Sequence, residues 1–202
     1  MSFGKAEPVD GVIRTAELLA AGVTNYAVAA RCRPSGPWQR VLPGVVLMST
    51  GAPTRRQRLR AAVAYAGAGA VITGTDALRE QGVVLPCQSD VLILVPADRR
   101  LASRSFLTVE RTTRPPAPVW RAALPLAPIV RATIDAARHE RDYFRLRTLL
   151  LAPVAVGACT LAELRAELAA GNQRGTAAPR ELLAGLDDHQ YSSGSLPSMS
   201  RT

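Results

Sequence analysis

The sequence predicts a mixed α/β (α+β) protein, with an N-terminal winged helix-turn-helix followed by an α/β domain on a small sheet. Three observations predict it. Residues 11 to 48 run in the order strand, helix, helix, strand, strand. DVLILVPADRR and FLTVERTTRP then read as two neighbouring strands. Much of the remainder has apolar residues at helical spacing, with capping signals at several helix starts.

The N-terminal elements follow in order. Val12 and Ile13 form a short extended piece. Thr15 is placed to cap a helix carrying Leu18 and Leu19, which Gly22 ends. Thr24 is the N-cap of a second helix, where Val28 and Cys32 share a face, and Pro34 and Gly36 stop it. WQRVLPGVVL is a hairpin around Pro43-Gly44, which fit the central positions of a type II turn. That turn does not match strand twist in a tight hairpin, so a bulge is expected. The hairpin is in the position of a wing. Domain boundaries are expected at residues 1–50 for the winged helix and 54–188 for the α/β domain, with a disordered Ser-rich tail over 189–202.

In the second part, Thr54 and Gln57 make a capping box for a helix reaching about Ala66, with Leu59, Val63 and Ala66 on one face. AVITGTDALREQG reads as another helix ending at Gly82. DVLILVP has the aliphatic density of a buried strand. Pro115, Pro116 and Pro118 break the strand after it. LAPIVRATIDAARH is an amphipathic helix with Ile129, Val130, Thr133, Ile134 and Ala137 inward. Further helices are expected from Tyr143 to about Leu151, after the Thr160–Glu163 capping box, and from Pro179. Trp38 is expected to pack the wing onto the helix pair, and Trp120 to cover the second domain's strand. Asp135 and Arg138 are expected to form a helix-surface pair.

The chain has 202 residues, 48% of them hydrophobic, enough for a sizeable core. Its 25 basic and 16 acidic residues leave a charge of +9, which suggests a polyanionic or acidic partner. Most of the excess, +6, falls in residues 51 to 121. Cys32, Cys87 and Cys159 are odd in number and unpaired in spacing, which fits free thiols in a reducing cytoplasm. MSFGKAEPVDG has no apolar region of a signal peptide, and LLLAPVAVGACTLA is too short to span a membrane. A cytoplasmic protein is the expectation.

The order of GVIRTAELLAAGV, GPWQRVLPGV, the RQRLRAAVAYAG helix, DVLILVPADRR and the APIVRATIDAAR helix resembles the actinobacterial relatives of the AbiEi antitoxins of type IV toxin–antitoxin systems. The resemblance runs from about residue 10 to about residue 186. It implies a winged helix that binds double-stranded DNA at its own promoter. It also implies an α/β domain that antagonises a nucleotidyltransferase-type toxin. Relatives are often Arg-rich along the second helix, whereas Ala27, Ala29 and Ala30 stand here beside Arg31 and Arg33. SSGSLPSM resembles the start of a nuclease-like domain in longer relatives, so a shortened member is expected.

For DNA contact the candidates are Thr24, Asn25, Tyr26, Arg31 and Arg33 on the second helix and Gln39 and Arg40 on the wing. Asn reads adenine, and Arg reads guanine or grips phosphate. The alternative is a solvated face used for protein contact. Arg55 and Arg56, with Arg58 and Arg60, either track further phosphates or form an exposed helix face. Arg99, Arg100 and Arg104 form a second patch or an acidic-partner surface.

No enzyme chemistry is expected. The two histidines, His139 and His189, lie at a helix end and in the tail, which does not suit a nucleophilic triad. The single lysine, Lys5, excludes a phosphate-binding P-loop and lies upstream of any nuclease motif. GAGAVITG lacks dinucleotide spacing and reads as a helix end and turn. No cofactor or metal site is expected. The expected function is promoter-binding transcriptional regulation in the manner of an antitoxin. The alternatives are a protein-interaction module that neutralises a toxin, and an inactive remnant of a longer nuclease-like protein.

Overall fold

The structure is a computed structural model that describes residues 8–86 and 88–186. The strand β1 (Val12–Arg14) runs directly into α1 (Thr15–Ala20), then α2 (Asn25–Arg31) and the hairpin β2 (Gln39–Leu42) and β3 (Val45–Leu47). The strands form an antiparallel sheet in the order β1-β3-β2. Strand alternation divides its side chains between two cores. Ile13 and Val46 face the helix pair, where they pack with Leu18, Val28 and Trp38. Val12, Val45 and Leu47 face the other way, into the main core.

Gly44 takes φ of +71°, as a type II turn requires, and the expected bulge lies between Arg40 and Leu42. The N–H of Thr15 donates to the Gly44 carbonyl at 2.8 Å, which ties the wing's tip to the start of α1. Thr15 is not the N-cap. Arg14 occupies that position, its backbone N–H donating to Glu17 Oε2 at 3.4 Å, while the Thr15 hydroxyl is buried without a partner among the described residues. Thr24 does cap α2, accepting from the Ala27 N–H at 3.1 Å.

α3 (Arg55–Ala66) starts at the expected capping box, with the Thr54 N–H on Gln57 Oε1 at 3.0 Å and the Gln57 N–H on Thr54 Oγ1 at 3.3 Å. It packs on the three-stranded sheet and also on a second, five-stranded one. Leu59, Ala61, Ala62 and Ala66 are all buried as a result, a wider face than a helix on one layer would bury. One continuous core runs from Val12 and Leu47 through α3 to Ile72 and Ile93, so the winged unit and the α/β unit share this helix.

The second sheet has the order β6-β5-β4-β8-β7. It comprises β4 (Val71–Thr73), β5 (Val91–Pro96), β6 (Leu107–Thr112), β7 (Val119–Arg121) and β8 (Leu124–Leu126). Val71 to Thr73 are a strand and not helix as expected; α4 (Gly74–Glu80) begins only at Gly74, whose φ of +70° turns the chain from sheet to helix. The β7–β8 hairpin, read from sequence only as a proline break, turns on Ala122 and Ala123, both with positive φ.

α5 (Ile129–Ala137) lies between α4 and β4 on one side and α6 (Tyr143–Ala155) and α7 (Leu161–Ala170) on the other. This sandwiching buries Ala132, Asp135 and Ala136 beyond the expected inward set of Thr133, Ile134 and Ala137, while Ile129 and Val130 are half-buried. α6 continues past Leu151 and through Pro153, and ends before Gly157, at φ of +68°. The Thr160–Glu163 capping box starts α7, with the Glu163 N–H on Thr160 Oγ1 at 3.2 Å. α8 (Ala177–Ala184) starts two residues before Pro179. With α5, these helices enclose a second core around Leu146, Leu150, Leu164 and Leu183. The expected tail and Cys87 lie outside the described residues. Among the described residues no helix is long and apolar enough to cross a membrane.

Candidate nucleic-acid interface

The strand–helix–helix–hairpin layout is that of a winged helix-turn-helix, with α2 as the second helix of the pair and β2–β3 as the wing. Trp38 holds them together as expected. It is buried among Ile13, Leu18, Val28 and Val46, and its N–H donates to the Arg31 carbonyl at 3.1 Å. α2 is fixed on its inner side by Val28, and its N-terminal turn faces outward. Asn25 is exposed there and Tyr26 is 76% exposed. Thr24 is also exposed, but its hydroxyl is engaged as the cap.

The remaining candidates separate into two groups. Arg33, just past α2, and Arg40, on β2, are exposed and form no ion pair among the described residues. Arg31 and Gln39 are positioning residues instead. The Arg31 guanidinium lies 4.9 Å from the centre of the Trp38 ring, and its Nη1 donates to the Ala27 carbonyl at 3.4 Å. Gln39 Nε2 donates to the carbonyls of Ser49 at 2.8 Å and Gly51 at 2.7 Å, which pins the segment leaving the wing.

The arginine run on α3 does not form an open cationic face, because each side chain has an internal contact. Arg55 Nε donates to Asp76 Oδ1 at 2.7 Å, its Nη2 bonds Asp76 Oδ2, and further bonds reach the carbonyls of Ser89 and Asp90. Arg56 and Arg60 both bond Asp10 Oδ2, at 3.2 and 3.1 Å, and Arg60 continues to the carbonyls of Ala122 and Ala123. These bonds, the Arg60 contact foremost, hold the Asp10 carboxyl below its usual range. Arg58 stacks 5.4 Å from the centre of the Phe106 ring. The run thus joins the N-terminal strand, α3 and the β7–β8 turn. Arg56 keeps a half-exposed side chain and is the one of the four that also presents charge outward.

Two expectations for the second unit change with burial. Trp120 lies on the edge strand β7 and is 61% exposed, so it does not close over the sheet as expected. Asp135 is 1% exposed and belongs to no surface pair. It accepts from Arg131 Nε at 2.9–3.0 Å and from Thr73 Oγ1 at 2.8 Å, with Arg138 at 3.6 Å. Burial raises its carboxyl above the usual range against the pull of Arg131. Sequence spacing showed the Asp135–Arg138 pair but not the fourth element, β4, that closes over it. Among the described residues no three His, Cys, Asp or Glu side chains come together to hold a metal ion.

No protein-family model matches the sequence, and no curated protein sequence matches it. Among solved structures the chain is similar to the crystal structure of the RV2827C protein from Mycobacterium tuberculosis, with a TM-score of 0.54 and 17% identity. The match covers 86% of this chain and 71% of that one. At that identity the likeness is one of fold alone.

Proposed function

We propose that this chain is a DNA-binding transcriptional regulator, acting in the manner of an AbiEi-like antitoxin by occupying its own promoter. The observation that carries the reading is the winged layout with Asn25, Tyr26, Arg33 and Arg40 all exposed around α2 and the wing. In this reading α2 enters the major groove. Asn25 meets a base edge, Tyr26 contacts base or sugar, and Arg33 grips guanine or phosphate. Arg40 on the wing holds the backbone. No bond is made or broken, and the protein works in the cytoplasm. A fluorescent duplex from upstream of the gene, titrated at rising salt, tests it. If Arg33 and Arg40 each cover one phosphate, log K falls against log salt with a slope of roughly −2 per protomer. A flat salt response with no preference over unrelated DNA refutes it.

A second reading has its own observation. The middle of α2 presents Ala29 outward and Ala27 and Ala30 half-buried, and Arg31 is occupied on Trp38. That short apolar face suits contact with a protein, such as a nucleotidyltransferase-type toxin, which salt would weaken little.

A further inference from the structure

A polar cavity of about 680 Å³ opens between the outer edge of β6, α5 and the segment after α7. Arg111, Arg114, Arg131, Arg138 and Arg174 line it. The carboxylates that answer them are three: Glu110 in the wall, and Asp135 and Glu167 behind it. Five guanidinium groups against three carboxylates leave an excess of two positive charges in one concavity. Here the internal pairing that absorbs the α3 arginines is incomplete.

The carboxylates also hold the arginines in place. Arg131 and Arg138 have side chains only 12% exposed. Arg131 is clamped by Asp135 and lies 3.6 Å from Glu167, and its Nη1 donates to the Arg114 carbonyl at 3.2 Å. Arg138 Nε donates to the Arg174 carbonyl at 2.9 Å, and its Nη1 lies between Glu110 and Asp135. Arg138 Nη2 has no hydrogen-bond partner among the described residues. At the rim, the Arg174 side chain is exposed and unpaired among the described residues, while its N–H donates to the Asn172 side chain at 3.0 Å. Fixed guanidinium groups with spare donors suit a planar or tetrahedral oxyanion, since their order is established before the ligand arrives. The volume is that of a small-molecule site.

We infer that this cavity binds a phosphate-bearing small molecule, with Arg138 on its floor and Arg174 at its rim, at a site separate from the winged helix. The class is an organic or inorganic polyphosphate, and pyrophosphate is the probe. Calorimetric titration of the full chain with pyrophosphate should give saturable one-to-one binding that weakens as salt rises. Arg174→Glu, an exposed change compatible with folding, should weaken it at least tenfold, and Asn172→Ala less. Arg33→Ala, Arg40→Ala should leave it unchanged, which separates this site from the DNA reading. A nucleoside triphosphate in the same titration distinguishes a nucleotide from free pyrophosphate as the source of the phosphate group. Absence of saturable binding overturns the inference, as does equal binding by the folded Arg174→Glu protein. So does a result in which Arg174→Glu impairs only duplex DNA binding, which would make the cavity part of a nucleic-acid surface.

Discussion

Single residues in this chain divide sharply by what their charge or hydroxyl already touches. The Thr24 hydroxyl oxygen accepts the Ala27 N–H and so holds the first turn of α2. Thr24→Ala should cost about 1 kcal/mol in urea unfolding, and any loss of DNA affinity should track that destabilisation. Arg55 opens α3 and Arg40 lies on β2, and the two arginines are not equivalent. Arg55 reaches Asp76, whose side chain is 4% exposed, and leaving that carboxylate alone should cost about 3–5 kcal/mol. Arg40→Ala on the open wing should stay within about 0.5 kcal/mol of wild type. Urea titrations of the two variants side by side check this; equal stabilities would contradict the pairing. Sequence spacing leaves Arg55 and Arg56 as either a phosphate track or an exposed helix face, because nothing local shows that Asp76 and Asp10, distant in sequence, arrive on the same helix.

At the scale of elements, what was legible was what is written locally. The Thr54–Gln57 and Thr160–Glu163 boxes, the Thr24 cap and the Pro43-Gly44 turn are each contained in a few consecutive residues, and each is present. Val71 to Thr73 read as helix in the sequence because so short a run shows no period, and only pairing with β5 and β8 makes them a strand. The β7–β8 hairpin is not legible in the sequence because Ala122-Ala123 carries none of the Gly or Asn that normally marks positive φ. Of the candidate site, the exposed residues Asn25, Tyr26, Arg33 and Arg40 were legible as helix and wing positions; the tethering of Arg31 and Gln39 was not, since it depends on Trp38 and on the carbonyls beyond the wing. One inter-element contact is pH-dependent. His139 Nε2 lies 2.7 Å from Glu110 Oε1, joining α5's end to β6. The hydrogen bond with Glu110 raises the histidine above its ordinary value of 6.5, and the same bond lowers Glu110 below 4.5. The histidine's contribution is complete below pH 6.5 and is lost as pH rises through its elevated value. The glutamate's is complete above pH 4.5 and is lost on acidification below it. The pair therefore stabilises most between those values. His139→Gln should flatten the fall in melting temperature above pH 6.5; an unchanged profile would remove the pair from the account.

For the whole molecule, the decisive feature is α3, which closes both sheets. The winged unit buries Val12, Val45 and Leu47 against it, so residues 1–50 alone would expose half of their apolar sheet. That fragment should be unfolded by circular dichroism, and in the full chain Leu59→Ala should lower one common unfolding transition by about 2–5 kcal/mol. A folded fragment, or two separate transitions, would show the units to be independent. The Asp10 contacts of Arg56 and Arg60 further tie the segment before β1 to this shared helix. The central claim is that the exposed side chains of α2 and the wing contact DNA. A mobility-shift titration against the DNA upstream of the gene, with wild type beside the Arg33→Ala, Arg40→Ala double variant, tests it most directly. The account predicts a specific, salt-sensitive shift that the folded double variant loses. A wild type that shifts no specific DNA, or a variant that shifts it equally well, would contradict the claim.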